Sequence, residues 1–200
     1  MATKTERCNR ALEWLGASGI ADVDDLDDNS TEAILCRSNY DTAVAITFEQ
    51  GDWTFATKYD RLDTPTEDDP DVIHSGFFHI HAKPADCMNL ISVDDQKRPD
   101  HFKFQGSPWE LIGNGIHVDA AIIYIKYIYN ETDDTVWSNL FDQTISSYMA
   151  MVMSIPLTEN TDLQGMYTRL WDMYLKQSKT NDGRQGYPQK TRSNVLLRRR

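Results

Sequence analysis

No run of eighteen apolar residues occurs in this 200-residue chain, and it does not open with a basic stretch followed by an apolar one. The sequence therefore predicts neither a membrane span nor a signal peptide. Cysteine is scarce: Cys8, Cys36 and Cys87 are odd in number, far apart and free of any C-x-x-C pair. That argues against a disulfide framework or a zinc ribbon and fits a reducing compartment. Bases are scarce in the body of the chain and acids are missing from its end. All 31 acids lie at or before Asp182, whereas residues 184–200 hold six of the 20 Lys and Arg. The body is left with 14 bases against 31 acids, a charge of −17, and the end carries +6. A body this acidic will not cling to nucleic acid phosphates. Catalytic signatures are missing too. Gly113-Asn114-Gly115 is followed by no lysine, so it reads as a turn and not a phosphate loop, and no cysteine has a histidine close in sequence.

What the chain does have is concentrated in its first sixty residues. Cys8, Ala11, Leu12 and Leu15 recur at helical spacing until Gly16 and Gly19 stop the helix. An acidic hinge follows, from Ile20 to Asp28. A second helix is expected to begin at Asn29, whose side chain caps the first turn while Glu32 reaches back to it. Its face runs Ala33, Cys36, Tyr40, Ala43, Val44 and Thr47, and the chain leaves through Trp53-Thr54-Phe55-Ala56.

After Asp60 the helical period disappears. Residues 63–72 form a polar, proline-punctuated loop. Strands are expected over 76–81, 88–93, 101–105, 109–112 and 121–129, separated by turn-formers such as Lys83-Pro84-Ala85-Asp86 and Arg98-Pro99-Asp100. Segment 121–129 is apolar on both faces apart from Lys126, so it is either central to a sandwich or pressed against a neighbouring subunit. Helical spacing returns at Val136 and Trp137 and continues through Leu140, Phe141, Thr144, Tyr148, Met151, Val152 and Ile155. Asp133 and Asp134 are placed to cap its start, and Pro156 is expected to end it. A fourth helix starts near Asp162, with Leu163, Met166, Tyr167, Leu170, Met173 and Tyr174 on one face. The expected fold is α+β: an antiparallel helical bundle from both chain ends (1–60 and 133–182), an inserted antiparallel β sandwich or barrel (61–132), and a flexible basic C-terminal tail (183–200).

Two patterns invite a metal. His79 and His81 share one face of a strand, a true ligand spacing, and His101 and His117 are possible additions. A cupin-like barrel enzyme would use such a pair, but it also needs a carboxylate at fixed spacing, and Asp86 comes too late. The acidic hinge fails as a calcium loop: counting from Asp22, the fifth position is Leu26, the sixth Asp27 and the twelfth Ala33. Its carboxylates are read as favourable charges near a helix N-terminus. Met149, Met151, Met153, Met166 and Met173 are read as packing between the two late helices. No cofactor, metal or catalytic residue is expected.

The order of these pieces resembles the head-to-tail adaptor family of short-tailed bacteriophages, often called tubular tail protein A or gatekeeper. The matching residues are Ala11-Leu12-x-x-Leu15-Gly16, then Ile20 with Asp24-Asp25-Leu26-Asp27-Asp28, then Ala33-x-x-Cys36-x-x-x-Tyr40-Asp41. They continue through Trp53-x-Phe55-Ala56, Pro84-Ala85-Asp86-Cys87, Gly106 before Trp109-Glu110-Leu111-Ile112, Tyr124-Ile125, and Ala150 with Ser154-Ile155-Pro156-Leu157-Thr158. The resemblance spans roughly residues 8 to 175. It implies a non-enzymatic virion protein, made in the host bacterial cytoplasm and placed at the head–tail junction. About a dozen copies would form a ring beneath the portal protein, carry the tail nozzle protein, and let double-stranded DNA pass without specific binding. No membrane is involved. Two sets of residues are candidates for these contacts. The basic end, with Lys190, Arg192, Val195, Leu196, Leu197, Arg198, Arg199 and Arg200, is the candidate portal-binding segment. Ile123, Ile125, Tyr127, Tyr129, Trp137 and Phe141 are candidates for the contact between copies.

Overall fold

The computed structural model describes residues 2–63, 65, 67, 68, 76–95 and 108–184. The expected strand 101–105, the loop beyond residue 68, Gly106 and the basic end past Arg184 lie outside the described residues. Among the described residues, four helices and two small antiparallel sheets make an α+β fold, with the strands inserted between helices from the two chain ends.

Helix α1 (Lys4–Leu15) is fixed at both ends by local chemistry. The Glu6 amide donates to Thr3 Oγ1 at 3.2 Å, and the Thr3 amide donates to Glu6 Oε2 at 2.8 Å, a reciprocal capping box. The helix stops at Gly16, whose φ of 70° suits a residue without Cβ. Helix α2 (Thr31–Glu49) starts one residue later than expected, because Ser30 and not Asn29 is its cap and accepts from the Ala33 amide at 3.2 Å. The hinge explains the shift. Asp22 accepts from the Asp24 amide, Asp25 from Asp27 and Asp28 from Ser30, so the carboxylates shape consecutive turns that deliver Ser30 to the cap. They are turn-formers first, and only then charges near a helix end.

Strand β1 (Thr57–Leu62) follows the aromatic exit directly, an element the sequence reading had not separated from it. After the short β2 (Glu67–Asp68) come β3 (His79–Ala82), β4 (Cys87–Asp94), β5 (Trp109–Ile112), β6 (Gly115–Val118) and β7 (Ile123–Tyr129). They form one sheet in the order β1-β7-β4 and a second in the order β2-β3-β6-β5. Gly113, at φ 60°, turns β5 into β6, so the expected turn is present and carries a strand on its far side as well.

Two buried clusters lie on either side of the first sheet. Ile128, Met88 and Ile91 join the helical core, whereas Leu90, Val93, Ile123, Ile125 and Tyr127 pack with Ile116 and Val118 of the second sheet. Leu90 and Val93 share a face despite their odd spacing because β4 is irregular against β7 between Leu90 and Ser92, which resets the alternation. Strand β7 is therefore the buried middle strand, the first of the two expected alternatives.

A 3-10 turn at Asp134–Val136, capped by Asp133, leads into α3 (Asn139–Thr158), whose cap is Ser138. Pro156 does not end α3. It sits inside the last turn, where it removes a single amide from the ladder, and the helix stops three residues on at Glu159 in the left-handed region (φ 52°). Helix α4 (Thr161–Gly183), capped by Asn160, returns against α3. Helices α1 and α2 also pack on α3, which makes it the centre of the bundle. Trp53, Phe48, Phe55 and Trp137 surround Phe141, with the Trp53 and Phe141 rings 4.9 Å apart.

Candidate assembly surfaces and buried polar sites

The six residues expected between copies are used within one chain. Ile123, Ile125 and Tyr127 fill the cluster between the sheets, Tyr129 packs at its edge, and Trp137 and Phe141 belong to the helical core. Phe141 and Ile123 are fully buried, and Tyr127 is 2 % exposed. The two-sided apolar character of β7 is thus explained by a sheet lying between two cores; Ile123, Ile125, Tyr127, Trp137 and Phe141 are buried within the chain, and Tyr129 alone of the six is half-buried. The methionines divide. Met149 and Met153 are buried and Met151 is half-buried, but Met166 and Met173 stand exposed on α4, so they do not pack against α3 as expected. The large apolar side chains exposed among the described residues are those two with Leu26, Ile34, Tyr59, Phe78, Leu111, Ile112, Ile122, Val136 and Ile155, so the 121–129 segment and the α3 stripe keep one exposed member each, Ile122 and Ile155.

The proposed docking residues, Lys190, Arg192, Val195, Leu196, Leu197 and Arg198 to Arg200, lie outside the described residues. Their point of departure is fixed. Asp182, at the end of α4, accepts from the Thr54 amide and the Thr54 hydroxyl, both at 2.8 Å. This ties the end of α4 to the aromatic exit from α2.

The histidines do not converge on a site. Antiparallel register sets His79 opposite Val118 and His81 opposite Ile116, on the face that meets the buried cluster between the sheets, while His117 stands opposite Ile80 on the other face. His81 is fully buried, and its Nε2 donates to the Ala120 carbonyl at 3.0 Å. His101 is outside the described residues. Among the described residues no three His, Cys, Asp or Glu side chains are arranged to hold a metal ion.

The strongest polar constellation was missed by sequence reading. Arg7, fully buried, donates from Nε to Asp142 at 2.6 Å and from Nη1 to the Tyr40 hydroxyl at 2.8 Å and to Asp134 at 3.2 Å. Its guanidinium lies 4.5 Å from the Trp137 ring centroid. Four elements are therefore tied to one cation: α1, α2, the 3-10 turn and α3. Burial pushes the Tyr40 phenol up to about 12, with the neighbouring Arg7 pulling the other way. Nothing in the sequence separates Arg7 from a surface arginine that happens to precede an apolar stripe. Asp142 lies equally unmarked in the first turn of α3. The Asp142 side also lines a shallow groove of about 1160 Å³ between α1 and α3, together with Glu6, Asn9, Arg10, Glu13 and Gln143.

Cys8, Cys36 and Cys87 are all free and buried. Cys36 donates to the Met153 sulfur at 3.8 Å, and the Cys8 thiol lies against Cys36, so three sulfurs from three helices meet. That contact together with burial pushes Cys8 up, and the same contact pulls Cys36 down.

No known family profile matches the chain, and no curated protein matches it. No helix among the described residues is long and apolar enough to cross a membrane.

Proposed function

We propose that this chain is a structural virion protein, a ring-forming head-to-tail adaptor that joins a portal protein to a tail nozzle protein and lines part of the channel through which DNA passes. One observation carries the reading. Nine of the residues that carry the adaptor resemblance, drawn from five of its eight motifs, belong to one helical core: Ala11, Leu12, Ile20, Ala33, Cys36, Tyr40, Trp53, Ala56 and Ala150. Five motifs spread from Ala11 to Ala150 thus share one structural job, the packing of the helical core. The acidic body gives further support, because a chain whose first 183 residues carry a net −17 is poorly suited to bind phosphates and stall a sliding duplex. We read the two sheets as a small sandwich packed on the bundle through Met88, Ile91 and Ile128, and the basic end as the segment that docks on the portal.

The competing reading, a cupin-like metal enzyme using His79 and His81, gains nothing from a His81 imidazole that is buried and bonded to a backbone carbonyl. Ring formation is tested by mixing the full chain with its portal protein and examining the product by negative-stain imaging and light scattering. A closed ring of about a dozen copies seated on the portal is expected. A discrete one-to-one complex with a single portal subunit and no ring would refute the proposal.

A further inference from the structure

Three sulfur atoms meet where α1, α2 and α3 cross. Cys36 Sγ lies 3.8 Å from Met153 Sδ, Cys8 lies against Cys36, and all three side chains are fully buried. The S–H of Cys36 is directed at a thioether and not at a helix carbonyl, the usual acceptor for a thiol in a helix. With metal–sulfur bonds of about 2.3 Å, a trigonal plane of sulfurs has its members about 4 Å apart, and Cys36 and Met153 stand at that spacing. We propose that Cys8, Cys36 and Met153 form a binding site for a soft monovalent metal ion, Cu(I) in the first instance.

The donor set selects the ion. Two thiols and a thioether are soft ligands, which favour Cu(I) over harder divalent ions. Zinc in a structural site takes four donors, and among the described residues no third His, Cys, Asp or Glu side chain joins the pair. The burial that excludes water also protects Cu(I) from oxidation. Binding replaces two S–H bonds with two Cu–S bonds and releases both protons, leaving a unit negative charge on the cluster. Lys4 and Arg7, on the same helix as Cys8, are the cations whose fields reach that cysteine, and they oppose this charge. Because all three side chains are fully buried, entry requires local opening of the helices that carry them.

The test uses the full chain, reduced and kept without oxygen, competing for Cu(I) against bathocuproine disulfonate. Wild type should withdraw one equivalent of copper from the coloured chelate and melt at a higher temperature with copper than without. Cys36→Ser should abolish the withdrawal. Met153→Leu, which preserves core volume, should melt like wild type in the absence of copper yet bind about tenfold more weakly or worse, having lost one of three soft donors. Cys87→Ser should behave as wild type. If Cys36→Ser fails to fold, Met153→Leu alone decides the matter. Failure of the wild type to retain copper would overturn the site, and so would Met153→Leu binding with undiminished affinity.

Discussion

Arg7 and Asp142 form an ion pair where water reaches neither, with both side chains no more than 2 % exposed. Such a pair loses much hydration on burial, so its net contribution is small, yet breaking it by removing one partner strands a charge. Arg7→Leu or Asp142→Ala should therefore each cost about 3–5 kcal/mol. The double variant should cost much less than the sum, and urea melts in a double-mutant cycle measure the difference. Tyr40 sits on the same guanidinium and gives a second handle. A phenol whose ionisation is pushed up by folding contributes stability that is complete below its ordinary value near 10 and disappears as pH climbs to about 12. A rise of that size on one group corresponds to about 3 kcal/mol. Tyr127, pushed up to about 12 by burial and by nearby Asp86, acts in the same window and the same direction. Thermal melts from pH 9 to pH 12 should show a steep alkaline loss. Tyr40→Phe should be less stable than wild type at pH 7 by about 1–3 kcal/mol, because Arg7 loses an acceptor, and should lose less between pH 10 and pH 12. An unchanged alkaline slope would place the titrating groups elsewhere.

At the level of elements, helix existence was legible and helix ends were less so. Apolar spacing locates all four helices because the core reads only one face of each. The ends depend on local hydrogen bonds that several neighbouring residues are able to make. Asn29 and Ser30 are both good caps, and the choice is made by Asp28, which binds the Ser30 amide and turns the chain so that the Ser30 hydroxyl points along the helix. Ser30→Ala should therefore cost about 1 kcal/mol, and Asn29→Ala much less, as chemical denaturation would show. Equal losses would mean that the cap is shared. Pro156 illustrates the opposite error. A proline halts a helix only when its missing amide and its ring are intolerable, and in the last turn of α3 little ladder remains to be broken. Strands β1 and β6 escaped notice because each is short and adjoins a stronger signal, the aromatic exit in one case and the glycine turn in the other. The irregularity in β4 was invisible, since a register shift leaves no compositional trace.

For the whole molecule, the fold class and the order of helices around inserted strands followed from pattern, while the location of candidate contact surfaces did not. Burial on two sides of a sheet and burial against a neighbour produce the same apolar sequence, and only the second core decides between them for Ile123, Ile125 and Tyr127. Charge segregation between body and end was legible without any structure, and the last prediction rests on it. Residues 184–200 carry six bases and no acid, with Val195, Leu196 and Leu197 as their apolar group. Those three side chains bury roughly a few hundred Å² if seated in a groove, which at about 25 cal/mol per Å² gives several kcal/mol per copy before the cost of ordering the segment. Arg192 and Arg198 to Arg200 add steering toward an acidic partner, an effect that salt weakens, and repetition around a ring multiplies a modest affinity. Because the Asp182–Thr54 bonds anchor α4 ahead of this segment, deleting 184–200 should leave helix content and melting temperature close to those of the full chain. The deletion should nevertheless abolish attachment to portal-bearing heads, scored by co-sedimentation. Replacing Leu196 and Leu197 by Ser should reproduce most of that loss, whereas Arg199→Ala should do little at physiological salt. Normal attachment of the truncated chain would make the basic end a solubilising appendage and would move the docking surface to the exposed residues of α4, with Met166 and Met173 the first to be changed.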